Sequence, residues 1–310
     1  MQLIQEVMMV GLGAIGGAYA LKFVNKPGVT LRVLAGGERK KRYEAKGFQI
    51  NDTPYQFRYA DPAEPQPTPA QLIIVAVKDY GLQEAITEMA PFVGEDTLIL
   101  SLMNGITSEE RLGEAFGAEK VLYGICMGLD GFRDGNVIRF KQYGTMSFGK
   151  ADNTQWSPEV ERVAALFDQM DIVYQVPQNM LYELWYKFMV NVGINQASAV
   201  VGEGFSAFQT ISEAHQLMQD AMKEVLQITQ KNGVKLTPAD LDKWDAVLVN
   251  MPPESRPSML NDLESGRQTE VEMLAGTVCR LGKALGVPTP VNQVLYQAIR
   301  AKEQATREGL

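Results

Sequence analysis

Cysteine and histidine are almost absent from this 310-residue chain, and their scarcity removes several kinds of chemistry. The two cysteines, Cys126 and Cys279, lie far apart and in no CxxC or CxxH spacing. A disulfide framework and a zinc site are therefore both unsupported, and no metal is expected. Two reduced thiols in a reducing compartment are the default. The single histidine, His215, excludes a histidine-rich metal site and would have to carry any Ser-His-Asp chemistry alone. It follows Ser212-Glu213-Ala214 early in an amphipathic segment and reads as an ordinary helical position. Positive charge is also short. With 29 Lys and Arg against 37 Asp and Glu, the net charge is −8, which argues against a nucleic-acid partner. Long apolar runs are missing too. Residues 7–21 are apolar enough to resemble a signal-peptide core. However, no basic residue precedes them, glycines interrupt them, and they run on into a helix without a cleavage pattern. No stretch reaches the roughly 18 apolar residues of a spanning helix. The expectation is a cytoplasmic protein with no membrane partner.

What is present has the texture of two ordinary domains. Hydrophobic residues make up 45% of the chain, as in soluble globular proteins. Residues 6–10 form a short apolar run ending at Gly11, residues 14–24 have helical spacing, and residues 30–34 (TLRVL) read as a second strand. This is one βαβ element. Residues 48–60 alternate like a small hairpin, and residues 61–69 (DPAEPQPTP) read as an extended loop. Buried strands are predicted at 72–77 (LIIVAV) and 97–102 (TLILSL), with a helix over 81–92 between them. Residues 120–149 read as further strands turning at Asp134-Gly135-Asn136, followed by a helix over 158–170 and a strand over 172–176. After Pro177 the pattern becomes wholly helical, over 180–200, 207–231, 238–250, 258–285 and 291–307. Gly233 and Gly286 stand where helices should end, and Thr237-Pro238-Ala239-Asp240 looks like a helix start. The expected architecture is an α/β Rossmann-type dinucleotide-binding domain, residues 1–178, followed by an all-α domain, residues 179–310.

Gly11-Leu12-Gly13-Ala14-Ile15-Gly16 matches GxGxxG in the required place, after a strand and at the mouth of a helix. The first glycine permits a tight turn and the second lets backbone approach a pyrophosphate. The third lets helix and strand pack closely, with helix amides facing the phosphate. An NAD site usually carries an acid at the end of the second strand. Here that position reads Ala35-Gly36-Gly37-Glu38-Arg39-Lys40. No acid ends the strand and several cations follow, which favours the 2′-phosphate of NADP and nominates Arg39. Glu38 and the solvated face of a helix are the competing readings of the same residues.

Two further groups stand at strand ends: Lys78 after LIIVAV and Asn104-Gly105 after TLILSL. Either can face the crevice beyond a parallel sheet, or merely cap and turn. In the helical half, Lys187, Asn191 and Asn195 recur at i, i+4 and i+8 on one face, beside an apolar stripe of Leu184, Phe188 and Val192. Spacing alone favours a Glu183–Lys187 surface pair with two solvated amides. Pro257 places Ser258 at a helix start, where its hydroxyl and nearby amides suit a carboxylate. Glu270 follows about three helical turns on.

These segments, in order and over almost the whole chain, resemble the ketopantoate reductase family. The specific blocks are Glu183-Leu184-Trp185-Tyr186-Lys187-Phe188-Met189-Val190-Asn191 and the run from Pro257 to Glu270 (PSMLNDLESGRQTE). GLGAIG, VAVKDY with Lys78 and LMNGI with Asn104 support them. The resemblance implies NADPH-dependent reduction of a small 2-oxo acid, 2-dehydropantoate in the family's named reaction, at a site between the two domains. It implies Lys187 as general acid and Glu270 as holder of a substrate hydroxyl. Ser258 would bind the substrate carboxylate, with Asn104, Asn191 and Asn195 as polar lining and Lys78 near the cofactor. A homodimer is left open. Two positions depart from the family. Gly36 stands where an arginine often reads the 2′-phosphate, leaving Arg39, Lys40 or Arg42 to substitute. Ser255 stands where an asparagine is common, which implies a differently shaped substrate pocket. A paralogue reducing another 2-oxo acid, and a non-catalytic NADP-binding regulator, are the alternatives.

Overall fold

The computed structural model describes residues 3–65 and 67–309 and divides the chain into two compact units, Met1–Leu181 and Tyr182–Leu310. The first unit is built on strands β1 (Glu6–Val10), β2 (Thr30–Leu34), β3 (Phe48–Ile50), β4 (Thr53–Tyr55), β5 (Arg58–Ala60) and β6 (Ala70–Val75). After them come β7 (Val93–Ser101), β8 (Val121–Met127), β9 (Gly131–Asp134), β10 (Val137–Phe140), β11 (Thr145–Gly149) and β12 (Tyr174–Gln175). Its helices are α1 (Ala14–Phe23), α2 (Gly37–Lys46), α3 (Leu82–Met89), α4 (Ser108–Phe116) and α5 (Pro158–Gln169).

Eight strands make one sheet in the order β12-β11-β8-β7-β6-β1-β2-β5, and the five pairings from β8 to β5 are all parallel. The central strands are apolar on both faces because helices cover both. Side chains alternate between the two cores, as the pleat requires. Val7 and Met9 join Tyr19, Phe23 and Phe167 on one face, while Met8 and Val10 join Leu82, Met89 and Leu112 on the other. β1 lies between β6 and β2, so strand order reverses beside it. A crevice for ligands is expected outside the carboxyl ends at such a reversal.

Residues 48–60 depart from the expected hairpin. Only β3 and β4 pair as one; β5 leaves to extend the main sheet parallel to β2. The buried side chains of Phe57 and Ala60 anchor that departure. β3 instead pairs with β10 in a second sheet, β4-β3-β10-β9, which packs on α1. The approach is close: a Cβ at Gly17 would overlap Ile138.

Unit two carries helices and no strand among the described residues: α6 (Met180–Val201, its first two residues belonging to unit one), α7 (Phe205–Thr210), α8 (Ser212–Asn232), α9 (Pro238–Leu248), α10 (Ser258–Glu264), α11 (Thr277–Leu285) and α12 (Pro290–Glu308). Two expected helices are broken. The 207–231 segment splits because Ile211 is extended and Ser212-Glu213 starts α8. The 258–285 segment stops at Glu264; Gly266 turns the chain with φ +66°, and a π-helical turn, Glu272–Gly276, leads into α11. Glu270 is therefore not on the helix that Ser258 begins. At Thr237 the expected helix start is present as a capping box with Asp240. No described helix is long and apolar enough to cross a membrane.

Unit two also buries a polar network. Glu224 on α8 accepts from the Val291 and Asn292 amides at 2.7 and 2.9 Å and from Asn292 Nδ2 at 2.7 Å. Asn292 Oδ1 in turn accepts from Gln196 on α6 at 3.0 Å. The carboxylate thus satisfies the first amides of α12, where negative charge is favoured. Replacing Glu224 by Ala strands these buried donors and should cost about 3 kcal/mol. A urea melt checks this; a change within about 0.5 kcal/mol, typical of a surface substitution, would contradict it.

Candidate functional site

The glycine-rich turn joins β1 to α1, and its three glycines have different surroundings. Gly11 has φ +97°, and a Cβ there would stand 2.6 Å from the Ala76 carbonyl oxygen and 2.8 Å from Val77. A Cβ at Gly16 would overlap the carbonyl oxygen of Gly11. Both positions require glycine for packing. Gly13 is different: its Cβ would meet nothing closer than 3.8 Å. The space it leaves open is the space a pyrophosphate would need over the N-terminus of α1, whose first turn carries no acid. The turn therefore fits a dinucleotide. Gly13, Ala14 and Ile15 are half-buried. Leu12 can offer only backbone, because its side chain belongs to the core.

Arg133 braces this turn from β9. Its Nη1 donates to the Leu12 carbonyl at 2.7 Å, Nη2 to Tyr43 Oη at 3.3 Å, and the guanidinium lies over the Tyr43 and Phe48 rings. Sequence reading passes over Arg133. It sits 121 residues from Leu12 in a segment that reads only as a hairpin flank.

Lys78 and Asn104 come to the neighbouring strand ends. Ala76 donates to Val10 across β6 and β1, and Leu102 donates to Val75 across β7 and β6, both at 2.8 Å. Lys78 and Asn104 each lie two residues beyond these bonds and are half-buried. The segment around Asn104 is held by a pair of buried hydroxyls that sequence reasoning also missed. Ser101 Oγ and Ser108 Oγ are 2.8 Å apart, and Ser108 donates to Glu109 at 2.9 Å.

Of the cations after Gly37, Arg39, Lys40 and Lys41 face carboxylates and, among the described residues, Arg42 does not. Arg39 donates to Glu84 at 3.3 Å and to Glu88, both on α3. Lys40 Nζ stands 3.7 Å from Asp61, and Lys41 pairs with Glu38 at 2.6 Å. Arg42 is exposed and lies over the Tyr43 ring.

In unit two, Lys187 and Asn195 on α6 are buried, each with 8% of its surface exposed, and Asn191 is half-buried. The three share a helix face as their spacing predicts. Neighbouring Tyr186 has a phenol pushed up to about 12 by burial and by the Asp240 and Glu183 carboxylates, so it stays neutral at working pH. Glu270 is buried, while Ser258 is exposed as the first residue of α10. Glu303 on α12 fixes the backbone before Glu270: it accepts from the Thr269 amide and hydroxyl, both at 2.7 Å. Ser255 makes its contacts here through the backbone. Its carbonyl accepts from the Phe205 amide at 3.2 Å and crowds Gly204, tying the 252–257 loop to α7. His215 simply hydrogen-bonds Asp245 at 3.0 Å.

Family models now meet this geometry. The model described as ketopantoate reductase PanE/ApbA matches residues 7–153, and its C-terminal counterpart matches residues 179–303. The chain belongs to the ketopantoate reductase family. This is an oxidoreductase family. The chain is 26% identical to 2-dehydropantoate 2-reductase of Aquifex aeolicus (strain VF5) over 306 residues, covering 97% of this chain and 98% of that protein. Among solved structures, D-mandelate dehydrogenase with NADH and anilino(oxo)acetate superposes with a TM-score of 0.88 at 19% identity, covering 97% of this chain and 99% of that one. The PanE/ApbA family ketopantoate reductase from Ralstonia eutropha JMP134 gives 0.82 at 23% identity, covering 97% and 99%. At these identities the structural likeness speaks for the fold.

The glycine turn makes a paired prediction. Gly16→Ala forces backbone against backbone and should destabilise the protein by about 1–3 kcal/mol. Gly13→Ala should leave the melting temperature nearly unchanged yet weaken dinucleotide binding about tenfold or more, because its methyl enters the phosphate space. Thermal melts and cofactor fluorescence titrations separate the two. Equal behaviour of the variants would contradict the assignment.

Proposed function

We propose that this chain is a nicotinamide-dinucleotide-dependent reductase of a small 2-oxo acid, with 2-dehydropantoate as the favoured substrate. The observation that carries the reading is the buried Lys187 ammonium on α6, within the most family-specific block of the sequence. Lysine is among the residues least often buried, and this one shares a helix face with Asn191 and Asn195, a polar set that fits contact with a small ligand.

When bound, a reduced nicotinamide supplies the hydride. The chain's own residues then have separable tasks. Lys187 holds a proton for the ketone oxygen, which becomes an alkoxide as the carbon is reduced; a nearby ammonium both stabilises and protonates it. The Ser258 hydroxyl, exposed at the start of α10, is available to the substrate carboxylate. Glu270, whose neighbour Thr269 is held by Glu303, would accept from the distal hydroxyl of 2-dehydropantoate. Asn104 and Lys78 serve the cofactor from the strand ends. NADPH is the reductant favoured by the sequence. Arg39 and Lys40 face carboxylates, whereas Arg42 is exposed over the Tyr43 ring, so the choice between NADPH and NADH rests with the groups around the end of β2.

A second reading, a reductase of another 2-oxo acid, draws support from the likeness to D-mandelate dehydrogenase and from Ser255, which stands where the family resemblance leads one to expect asparagine. Steady-state assays with 2-dehydropantoate, 2-oxoisovalerate and benzoylformate decide between them. A site that hydrogen-bonds the hydroxyl should reject 2-oxoisovalerate, which lacks it. Preference for benzoylformate would favour the second reading, and no turnover of any 2-oxo acid would refute both. Lys187→Ala should lower turnover by about 10²–10⁴ while dinucleotide affinity is kept. Parallel loss of both, or of neither, would contradict the role of Lys187.

A further inference from the structure

In a parallel sheet every strand presents its carboxyl end to the same crevice, so β5 delivers residues beside the end of β2. Leu34 stands opposite Ala60 in that pairing, and the Ala35 amide donates to the Ala60 carbonyl at 3.0 Å. The residues that follow are therefore neighbours. A Cβ built on Gly36 would lie 3.3 Å from Asp61 Oδ1 and 2.9 Å from Pro62 Cδ. The Pro62 ring takes the room that a side chain at position 36 would need, and a carboxylate stands next to it. The acid missing from the end of β2 is supplied by the adjacent strand.

Asp61 is held but not used up. Its Oδ1 accepts from the Ala63 amide at 3.1 Å and its Oδ2 faces Lys40 at 3.7 Å, with 21% of the side chain exposed. An ionised carboxylate has about four acceptor sites, so capacity remains for hydroxyls. Most of the surrounding positive charge is already engaged, with Arg42 exposed outside these pairs. Arg39, Lys40 and Lys41 face four carboxylates, Glu84, Glu88, Asp61 and Glu38. Glu38 itself points to solvent with Lys41, its side chain 85% exposed, and is poorly placed to read a ribose.

We infer that Asp61, at the carboxyl end of β5, makes this protein prefer NADH to NADPH by accepting from the adenosine ribose diol and repelling a 2′-phosphate. The inference rests on the nicotinamide reading above but not on the identity of the 2-oxo acid.

The test is a fluorescence titration of NADH and NADPH on the purified protein without substrate, for wild type and Asp61→Asn. Asparagine keeps an oxygen for the Ala63 amide, removes the charge and releases Lys40. Wild type should bind NADH about tenfold or more tightly than NADPH, a difference of about 1.4 kcal/mol or more. In Asp61→Asn, NADPH should tighten about tenfold while NADH weakens severalfold. The wild-type preference should be strongest at low salt, since the repulsion is partly exposed. Tighter NADPH binding by wild type would overturn the inference without any variant. So would an Asp61→Asn variant in which both dinucleotides change equally. Failure to bind either dinucleotide would overturn the nicotinamide reading and this inference with it, whereas a wrong choice of 2-oxo acid leaves the outcome untouched.

Discussion

Backbone meets backbone at the end of β1, and the first unit depends on that approach. Gly11 lies against the Ala76 carbonyl, and Gly16 lies against Gly11 itself. Only residues without a Cβ permit both contacts, and together they bring the start of α1 to the carboxyl ends of β1 and β6. The helix amides and dipole are then aimed at the crevice, where an anionic phosphate is stabilised. The second sheet reinforces this arrangement rather than adding to the pocket. β10 presses Ile138 against α1 at Gly17, and β9 sends Arg133 to the Leu12 carbonyl. A turn that binds phosphate through its amides must be held still, and these two contacts do so from one side.

The second unit faces a different problem, the burial of charge. Lys187, Glu224, Asp240, Asp262, Glu270 and Glu303 all lie largely out of water. Glu224, Asp240 and Glu303 each accept from backbone amides or hydroxyls near a helix end, and Asp262 accepts from Arg267 at 2.9 Å. Such carboxylates rigidify the scaffold as long as their donors remain. Lys187 and Glu270 are set into that frame, which suits the roles proposed for them.

Much of this was legible in the sequence, for physical reasons that can be named. The runs VMMV and LIIV declare strands buried on both faces, and the glycines after the first declare the turn. The Lys187-Asn191-Asn195 face follows from helical periodicity alone. Other features were hidden because they arise from distant pairing. The periodicity over 258–285 is continuous, yet the helix ends at Glu264, Gly266 turns the chain and Glu303 holds Thr269 from α12. Nothing in the sequence signals that α3 places Glu84 and Glu88 beside Arg39. Asp61 sits in a proline-rich stretch that reads as a plain loop. Its neighbour Gly36 emerges only once β5 is known to pair with β2 rather than with the hairpin before it.

The central claim is that the β1–α1 turn and the adjoining ends of β2, β5 and β6 form a dinucleotide cradle. Amide hydrogen exchange of the full chain, with and without saturating NADH, tests it most directly. Binding should slow exchange in peptides covering residues 11–17, 35–39 and 76–80, while the core of β7 and the interior of α8 change little. Unchanged exchange at the turn in the presence of bound NADH, with protection appearing elsewhere, would contradict the account.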